Sequence, residues 1–376
     1  MGISSKKFIY LNRYKIPISI IFGFLLGCMF AFSNMPIERS CRMNDSDKDF
    51  NIMKNSKLKN PELIILILSS PNNFGTRNII RETWLTLVLD QENKRNSKNF
   101  KVKHYFTIGY LNLEKDKIIE LEKEQYEYND ILLVPLVDTY SNLTLKVVKS
   151  FEWLNEQFDS GLSFKYVLKC DEDSFVRLDN LIHELKHIEL LYLKSQLSSV
   201  QQMSKENNSP YLRINLQVNS EETRNNLSLY WGYFDGRATM HKKGKWKDQN
   251  WIACDKYIPY ALGGGYILSK SLVTYIAKNA DYLRMFNSED ASVGLWLAPI
   301  NNILRIHDIR FDTEWTSRGC QNFFLISHSV KPETMKEMIA TIKSYKVLCS
   351  TPRLKRNFYH YNWTVPPSQC CQNKIQ

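Results

Sequence analysis

The segment FKYVLKCDEDSFVR, Phe164 to Arg177, joins an apolar run to three consecutive carboxylates. Its first half is typical of a buried strand, and Asp171, Glu172 and Asp173 follow where that strand would end. Neighbouring carboxylates repel and raise one another's pKa, so they tend to persist where a cation or hydrogen bonds compensate them. A solvated turn explains the same residues, because Asp and Ser are common turn formers. The surrounding sequence has to decide between the two interpretations.

Strands and helices alternate around this segment. Four short apolar runs are predicted as strands, at residues 62–70, 101–110, 130–138 and 165–170. Three segments with helical spacing lie between them, at residues 77–89, 114–128 and 141–158, the last with Ser141 as its cap. This alternation predicts an α/β fold with a largely parallel sheet. Ligands of open sheets of this kind bind beyond the carboxyl ends of the strands, where the three carboxylates lie.

The carboxylates therefore predict a metal-assisted diphosphate site. A hard divalent cation prefers oxygen ligands and would link Asp171 or Asp173 to a diphosphate. Glu172 would point the other way in an extended segment, because successive side chains alternate between faces. The resulting Asp-x-Asp pattern is weak by itself, since three-residue patterns recur by chance.

The N-terminal region is typical of a membrane anchor. Residues 16–32 carry no charge, which matches the lower limit of about 17–25 residues for a membrane-spanning helix. The flanking basic residues all precede this run, so the N-terminus is expected to stay cytoplasmic. A cleaved signal peptide is the alternative, because residues 31–33 resemble a cleavage site. The predicted organisation is a tail (1–15), a signal-anchor helix (16–34), a stem (35–60) and a lumenal catalytic domain (61–376) with an exposed inserted loop at about 187–228.

Composition agrees with a secretory location. The 8 cysteines show neither Cys-x-x-Cys nor paired histidine ligands, so disulfides are favoured over a zinc site. Glycosylation sequons lie at Asn44, Asn142, Asn207, Asn226 and Asn362. The formal net charge of +11 suggests acidic partners such as nucleotide phosphates, and nucleic acid is not expected in that compartment.

Several separated motifs resemble the β-1,3-glycosyltransferases of glycosyltransferase family 31. Residues 164–181 are similar to the Asp-x-Asp segment of that family. The likeness continues, in order, through RNIIRETW (77–84), DTYSNLTLK (138–146), YIPYALGGGYILS (257–269) and SEDASVGLWLA (288–298). It covers about residues 61–371 and implies a GT-A-like fold, a Rossmann-type mixed sheet flanked by helices.

The resemblance also implies a set of site residues. Asp171 and Asp173 would hold Mn²⁺, with Asp171 next to the ribose or the ion. A histidine near the C-terminus would complete the metal site, and His328 matches the family pattern better than His307. Burial and hydrogen bonding explain most histidines, so a structural role remains open for either residue.

Asp290 is the residue that the family pattern implies as general base. Asp290 also fits an N-cap of the following helix, since Asp caps well, and the two roles are compatible. Arg77 and Arg81 follow the first strand and suit phosphate or uracil contacts, although solvation on a helix surface explains them too. Trp231, Tyr233, Trp246 and Trp251 are candidates for stacking on sugar rings, with core packing as the alternative.

The resemblance implies an inverting transferase that uses UDP-galactose. The expected acceptor is the galactose of Gal-β1,4-xylose on a proteoglycan core protein, at the Golgi membrane. Transfer of galactose or N-acetylglucosamine onto N- or O-glycans is the alternative within the enzyme class. A membrane-tethered protein that binds glycans without turnover is the alternative outside it.

Overall fold

The computed structural model describes residues 60–88, 100–197, 210–216, 228–244, 247–248, 251–252, 254–372 and 374–375. The predicted tail and signal-anchor helix, and all of the stem except its last residue, lie outside these residues and stay predictions. Within the described ranges, no helix is both long enough and apolar enough to cross a bilayer.

The fold is built around one mixed sheet of eight strands in the order β3-β2-β1-β4-β8-β7-β9-β6. These strands are β1 (Leu63–Leu68), β2 (Val102–Gly109), β3 (Ile131–Val134), β4 (Tyr166–Asp171), β6 (Leu212–Leu216), β7 (Ser228–Asp235), β8 (Tyr260–Ser269) and β9 (Ile303–Asp308). Strands β1 to β4 run parallel. Strand β8 is antiparallel to both of its neighbours, β7 and β9 are parallel, and β6 closes the edge antiparallel to β9.

Seven α-helices surround this sheet or follow it. They are α1 (Phe74–Glu82), α2 (Lys115–Tyr128), α3 (Leu143–Asp159), α4 (Leu178–Leu197), α5 (Lys270–Lys278), α6 (Glu289–Leu297) and α7 (Pro332–Tyr345) in the described chain. Short strands complete it: β5 (Phe175–Val176), β10 (Phe311–Asp312), β11 (Gly319–Cys320), β12 (Ile326–Ser327), β13 (Arg353–Leu354), β14 (Phe358–Tyr359) and β15 (Lys374–Ile375). Strands β10, β12 and β5 form a separate small sheet.

The predicted α/β class with a mixed sheet flanked by helices is confirmed, with corrections at the level of single elements. Parallel pairing covers β1 to β4 and the β7–β9 pair, whereas β8 is antiparallel to β4 and β7, and β6 is antiparallel to β9. The helix predicted at 77–89 is observed as α1, which begins at Phe74 and ends at Glu82. Asn142, rather than Ser141, occupies the N-cap of α3, because a short 3-10 turn precedes that helix.

The loop predicted at 187–228 is partly regular. Helix α4 continues to Leu197, and Leu212–Leu216 pairs with β9 as an edge strand. Polar composition had indicated a loop there, but an edge strand tolerates polar residues on its exposed face. Residues 198–209 and 217–227 lie outside the described ranges.

The centre of the sheet explains where the site lies. All six residues of β1 are buried, because β2 and β4 flank it and helices cover the sheet. Burying each such aliphatic side chain contributes about 1.5–3 kcal/mol. Since β1 to β4 are parallel, their carboxyl ends meet at one edge. Cys170 pairs with Gly265 of β8, so the preceding glycines of β8 extend past the end of β4, beside Asp171.

The cysteines confirm the expected disulfides. Cys320 pairs with Cys349, and Cys370 pairs with its neighbour Cys371. Cys170, buried in β4, and the exposed Cys254 are the free cysteines among the described residues.

Candidate active site

A cluster of two carboxylates and one imidazole lies at the carboxyl end of β4. One ligand atom each from Asp171, Asp173 and His328 can be chosen so that all lie within 4.8 Å of one another. The His328 Nε2 atom is 3.3 Å from Asp173 Oδ1 and 3.7 Å from Asp171 Oδ2. The structure therefore brings together the three residues that the sequence predicts as metal ligands.

Strand β12 delivers His328 to this cluster. It pairs antiparallel with β5, which follows the carboxylate segment directly, and Val330 N donates to Asp173 O at 2.8 Å. The Nδ1 atom of His328 lies 3.3 Å from the carbonyl oxygen of Glu314. A carbonyl can only accept, so this bond places a proton on Nδ1 and leaves Nε2 as the ring atom that faces the carboxylates. Such a backbone partner is the usual way in which a metal-binding histidine is oriented.

Glycines of β8 make room for these side chains. A Cβ atom on Gly264 would lie 2.7 Å from His328 Cγ and 2.8 Å from its Cβ. On Gly263 it would lie 3.2 Å from Asp290 Oδ2. The Gly-Gly-Gly motif is thus required by the close approach of ligand and acid to the strand backbone.

Substituting Gly264 by Ala is expected to displace His328 and to weaken the binding of a divalent cation at the cluster. The added Cβ has no room, because it meets the root of the imidazole rather than a flexible end. Gly75→Ala is the matched control: nothing lies within 4 Å of its added Cβ, in helix α1. Calorimetric titration of both variants with divalent cations checks this, and equal dissociation constants would contradict it.

The carboxylate of Glu172 points away from the cluster, as expected, but a turn rather than strand alternation is the reason, since β4 ends at Asp171 and Ser174 N donates to Asp171 O at 3.1 Å. Glu172 Oε2 accepts a hydrogen bond from Ser69 Oγ at 2.6 Å, and its Oε1 accepts one from the Asn73 side chain. Arg77 reaches the same Ser69 hydroxyl at 3.1 Å. These contacts tie the carboxylate segment to the end of β1, so Glu172 fixes its backbone.

Arg77 and Arg81 both form ion pairs with acidic residues that are distant in the sequence. The fully buried Arg77 guanidinium is paired with both oxygens of Glu124 in α2, at 2.8 and 2.6 Å. Arg81 binds both oxygens of Asp130, at 2.8 and 2.7 Å. The described contacts of both residues are thus structural ion pairs that hold α1 against α2 and β3, and contact with a nucleotide stays a prediction.

Lys169 connects the cluster to a second acidic pair. Its buried ammonium lies 2.9 Å from Asp171 Oδ1, 2.9 Å from Glu289 Oε2 and 2.7 Å from Gly263 O. Burial alone would lower the pKa of Lys169, but Asp171 and Glu289 together raise it above the ordinary lysine value. The lysine thus stays charged and compensates the carboxylates around it, a role that the sequence did not reveal.

Asp290 lies in the first turn of α6, beside Gly263. Its Oδ2 accepts the Gly263 N–H at 2.8 Å, and its Oδ1 accepts the Ala291 N–H at 2.9 Å. Burial, and then the charge of neighbouring Glu289, raise the pKa of Asp290 to about 7. Ser288 is the N-cap residue, so Asp290 is not the cap itself, although it does satisfy one N–H of the first turn.

One cavity of about 520 Å³ contains these groups. Its lining includes the predicted ligands and the predicted base: Asp171, Asp173, His328 and Asp290. Carboxylates thus lie both at the predicted cation site and at a second point of the same wall, which suits a reaction that needs charge stabilisation and a base.

Other sequence candidates are structural. His307 is fully buried, accepts the Phe234 N–H at 3.1 Å and lies 2.9 Å from Tyr359 O, so both of its nitrogens are used. Trp231, Tyr233 and Trp251 are buried in the core, and Trp246 lies outside the described residues. The aromatic residues that do line the cavity include Tyr140, Tyr260 and Trp315, of which sequence reasoning singled out none.

Known proteins resemble this chain over most of its length. A family model described as galactosyltransferase matches residues 75–307. Beta-1,3-galactosyltransferase 6 of Mus musculus is 38% identical over 313 residues, 83% of this chain and 83% of its own length. Hydroxyproline O-galactosyltransferase GALT6 of Arabidopsis thaliana is 30% identical over 73% of this chain, which spans only 34% of that longer protein. Beta-1,3-galactosyltransferase 4 of Mus musculus is 28% identical over 74% of this chain and 71% of its own length.

Proposed function

Because this chain belongs to the galactosyltransferase family, we propose that it is an inverting β-1,3-galactosyltransferase that uses UDP-galactose. The observation that carries the proposal is the convergence of the Asp171, Asp173 and His328 cluster and of Asp290 in one cavity. A GT-A-like arrangement, with the nucleotide sugar beyond the carboxyl ends of β1 to β4, agrees with this placement.

Transfer with inversion is a single displacement. The acceptor oxygen forms a bond to C1 of galactose, the bond from C1 to the diphosphate oxygen breaks, and its electron pair leaves with UDP. Asp290 takes the proton of the attacking hydroxyl, since each of its oxygens keeps a second lone pair beyond the backbone hydrogen bond that it accepts. Lys169 binds Asp171 of the acidic segment and Glu289 next to the base, and the Gly263 N–H binds Asp290 itself.

The residues present fit a divalent cation. Two carboxylates and an imidazole whose Nε2 atom faces them form a donor set that suits Mn²⁺, and Gly264 supplies the space for the imidazole. We propose Mn²⁺ as the ion, held by Asp171, Asp173 and His328. When bound, such an ion would neutralise the charge that develops on the diphosphate.

The rate of transfer is expected to rise with pH up to about neutrality. Asp290 must be ionised to accept a proton, and its pKa is raised to about 7, so acidification below that value protonates the base. We expect kcat to fall about tenfold per pH unit below this pKa. A cation bound nearby would lower the pKa of Asp290 and so move the fall in kcat to lower pH. A profile from pH 5 to 9 at saturating Mn²⁺ checks this, and a flat profile between pH 5 and 7 would contradict it.

We propose Gal-β1,4-xylose on a proteoglycan core protein as the acceptor. The 38% identity to a mouse protein named beta-1,3-galactosyltransferase 6 supports this choice. A second cavity of about 550 Å³ is lined by Ser141 and Asn287, which are adjacent in sequence to Tyr140 and Ser288 of the first, and we propose that an extended acceptor uses it.

An acceptor panel tests the assignment. Gal-β1,4-xylose, N-acetyllactosamine and an O-glycan core disaccharide are each incubated with UDP-galactose or UDP-N-acetylglucosamine, and products are identified by mass spectrometry. Transfer of galactose to the xylose-linked disaccharide alone is the expected result. Preference for another acceptor or donor would instead assign the protein as a transferase that acts on N- or O-glycans. UDP-sugar hydrolysis and transfer both absent, with sugar binding retained, would favour a glycan-binding protein.

The location proposed for the enzyme is the Golgi membrane, with the catalytic domain in the lumen. The charge-free run at 16–32 after basic residues supports it. The disulfides Cys320–Cys349 and Cys370–Cys371 fit an oxidising compartment.

A further inference from the structure

Trp315 is a large aromatic side chain at the wall of the catalytic cavity, and the chemistry described so far gives it no role. It lies in the loop between β10 and β11, and 62% of its surface is accessible to water. It lines the same cavity as the predicted cation ligands and Asp290. Tryptophan side chains are buried to a high degree on average, so this exposure beside carboxylates calls for a reason.

The loop that carries Trp315 is firmly anchored. After it, the fully buried Arg318 binds Asp312 at 2.9 Å, and Ser317 Oγ donates to the other oxygen of Asp312 at 2.7 Å. The backbone of Trp315 itself accepts a hydrogen bond from Ser329 Oγ at 3.4 Å. The exposure of the indole is therefore imposed by a loop that is fixed on both sides.

The loop also places the indole relative to the reacting atoms. Glu314, directly before Trp315, holds His328 through its carbonyl oxygen at 3.3 Å. In the proposed reaction, C1 of the transferred sugar lies between the diphosphate at the cation cluster and the hydroxyl at Asp290. A side chain beside His328 in that cavity is thus in reach of a pyranose ring.

We propose that Trp315 is a sugar-binding residue whose indole face packs against a pyranose ring of the substrate. The C–H face of a pyranose is apolar while its hydroxyls are polar, and an indole at a cavity wall offers the matching apolar surface without competing for those hydroxyls. This inference rests on the proposed function, because it takes sugars as the substrates. The ring is either the galactose of the donor or the terminal sugar of the acceptor, and the experiment distinguishes them.

Substituting Trp315 by Ala is expected to weaken binding of that sugar about tenfold, equivalent to about 1.4 kcal/mol. Trp315→Phe, which keeps an aromatic face, should retain most of the affinity, whereas Trp315→Leu, apolar but without a planar ring, should resemble the Ala variant. Tyr126→Ala is the matched control, because Tyr126 is 94% exposed on helix α2 and does not line the catalytic cavity. Thermal unfolding of all variants should remain close to that of the wild type, since the indole is largely in water.

The measurement separates the substrates. A raised KM for the acceptor alone assigns the indole to the acceptor sugar, and a raised KM for UDP-galactose with an unchanged Kd for UDP assigns it to the donor galactose. A weaker Kd for UDP, measured by calorimetry, would overturn the proposal in favour of a uridine contact. Unchanged constants in Trp315→Ala, or equal effects of the Leu and Phe variants, would overturn it as well.

Failure of the proposed function has a different signature. In that case neither the wild-type protein nor Trp315→Ala transfers galactose to any of the acceptors. Saturation-transfer NMR with free galactose and with Gal-β1,4-xylose then still tests Trp315. Loss of the saturation-transfer signals of the sugar ring protons in Trp315→Ala, but not in Tyr126→Ala, supports the sugar subsite. Identical sugar signals in the two variants exclude it.

Discussion

Substituting Asp290 by Asn is expected to lower kcat by about 10²–10⁴-fold, the usual contribution of general acid–base catalysis. The amide is of the same size but cannot accept a proton, so the acceptor hydroxyl keeps its proton in the transition state. Binding of UDP-galactose should survive, because the base acts on the acceptor rather than on the diphosphate. Steady-state kinetics with the xylose-linked disaccharide, together with calorimetry for the donor, measure both effects.

The fold should tolerate this change with a small loss of stability. The Asn oxygen keeps one of the two backbone hydrogen bonds, from Gly263 or Ala291, and its amide group faces the other donor. Leaving that backbone donor without a partner costs about 1–3 kcal/mol, which is below the stability of a typical domain. Asp281→Asn, an exposed residue that does not line the cavity, is the control and should keep its full kcat.

Near-wild-type kcat in Asp290→Asn would remove Asp290 from the mechanism and leave it as a structural residue of the first turn of α6. Glu289 would be tested next, as Glu289→Gln. Its position argues against it as base, because it is 3% exposed and already bonded to Lys169 and to the hydroxyl of Tyr266.

Substituting Asp173 by Ala is expected to abolish transfer at any practical Mn²⁺ concentration. The variant removes one of three ligands, and the remaining pair, Asp171 and His328, would hold the ion weakly. Its fold should persist, because the Asp173 side chain is 50% exposed and its structural contact to Val330 uses the backbone oxygen, which Ala retains. Transfer assays across a Mn²⁺ series check the loss.

Thermal unfolding gives a readout that does not depend on activity. A cation at a hundred times its Kd stabilises the folded state by about 2.7 kcal/mol, so Mn²⁺ should raise the Tm of the wild type but not that of Asp173→Ala. Glu172→Gln is the matched control from the same acidic segment, since its side chain binds Ser69 and Asn73 instead of the cluster. It should keep the response to Mn²⁺. Full transfer activity of the wild type in excess EDTA would contradict the requirement for a cation.

The sequence by itself determined the first half of the sheet and the place of the carboxylates. A continuous apolar run such as Leu63–Leu68 removes its side chains from water only when both faces of the strand are buried. Charged residues directly after such a run must therefore lie at the edge of the sheet. These are local patterns, and the family resemblance added the identity of His328 and Asp290. Strand alternation predicted the direction of Glu172, but β4 ends at Asp171 and a turn follows, so the contacts of Glu172 with Ser69 and Asn73 set that direction instead.

Only the tertiary structure decided which charges meet. Arg77 contacts Glu124, 47 positions away, an ion pair that the place of the arginine after β1 does not reveal. Lys169 joins Asp171 to Glu289 only because β8 lies beside β4 and α6 packs against it. Trp315 shows no periodic signal, and its exposure depends on the anchors around its loop. The spacing of apolar residues in the sequence indicates which segments form helices and strands. The order of the strands, the long-range ion pairs and the exposure of a single side chain depend on how distant segments pack.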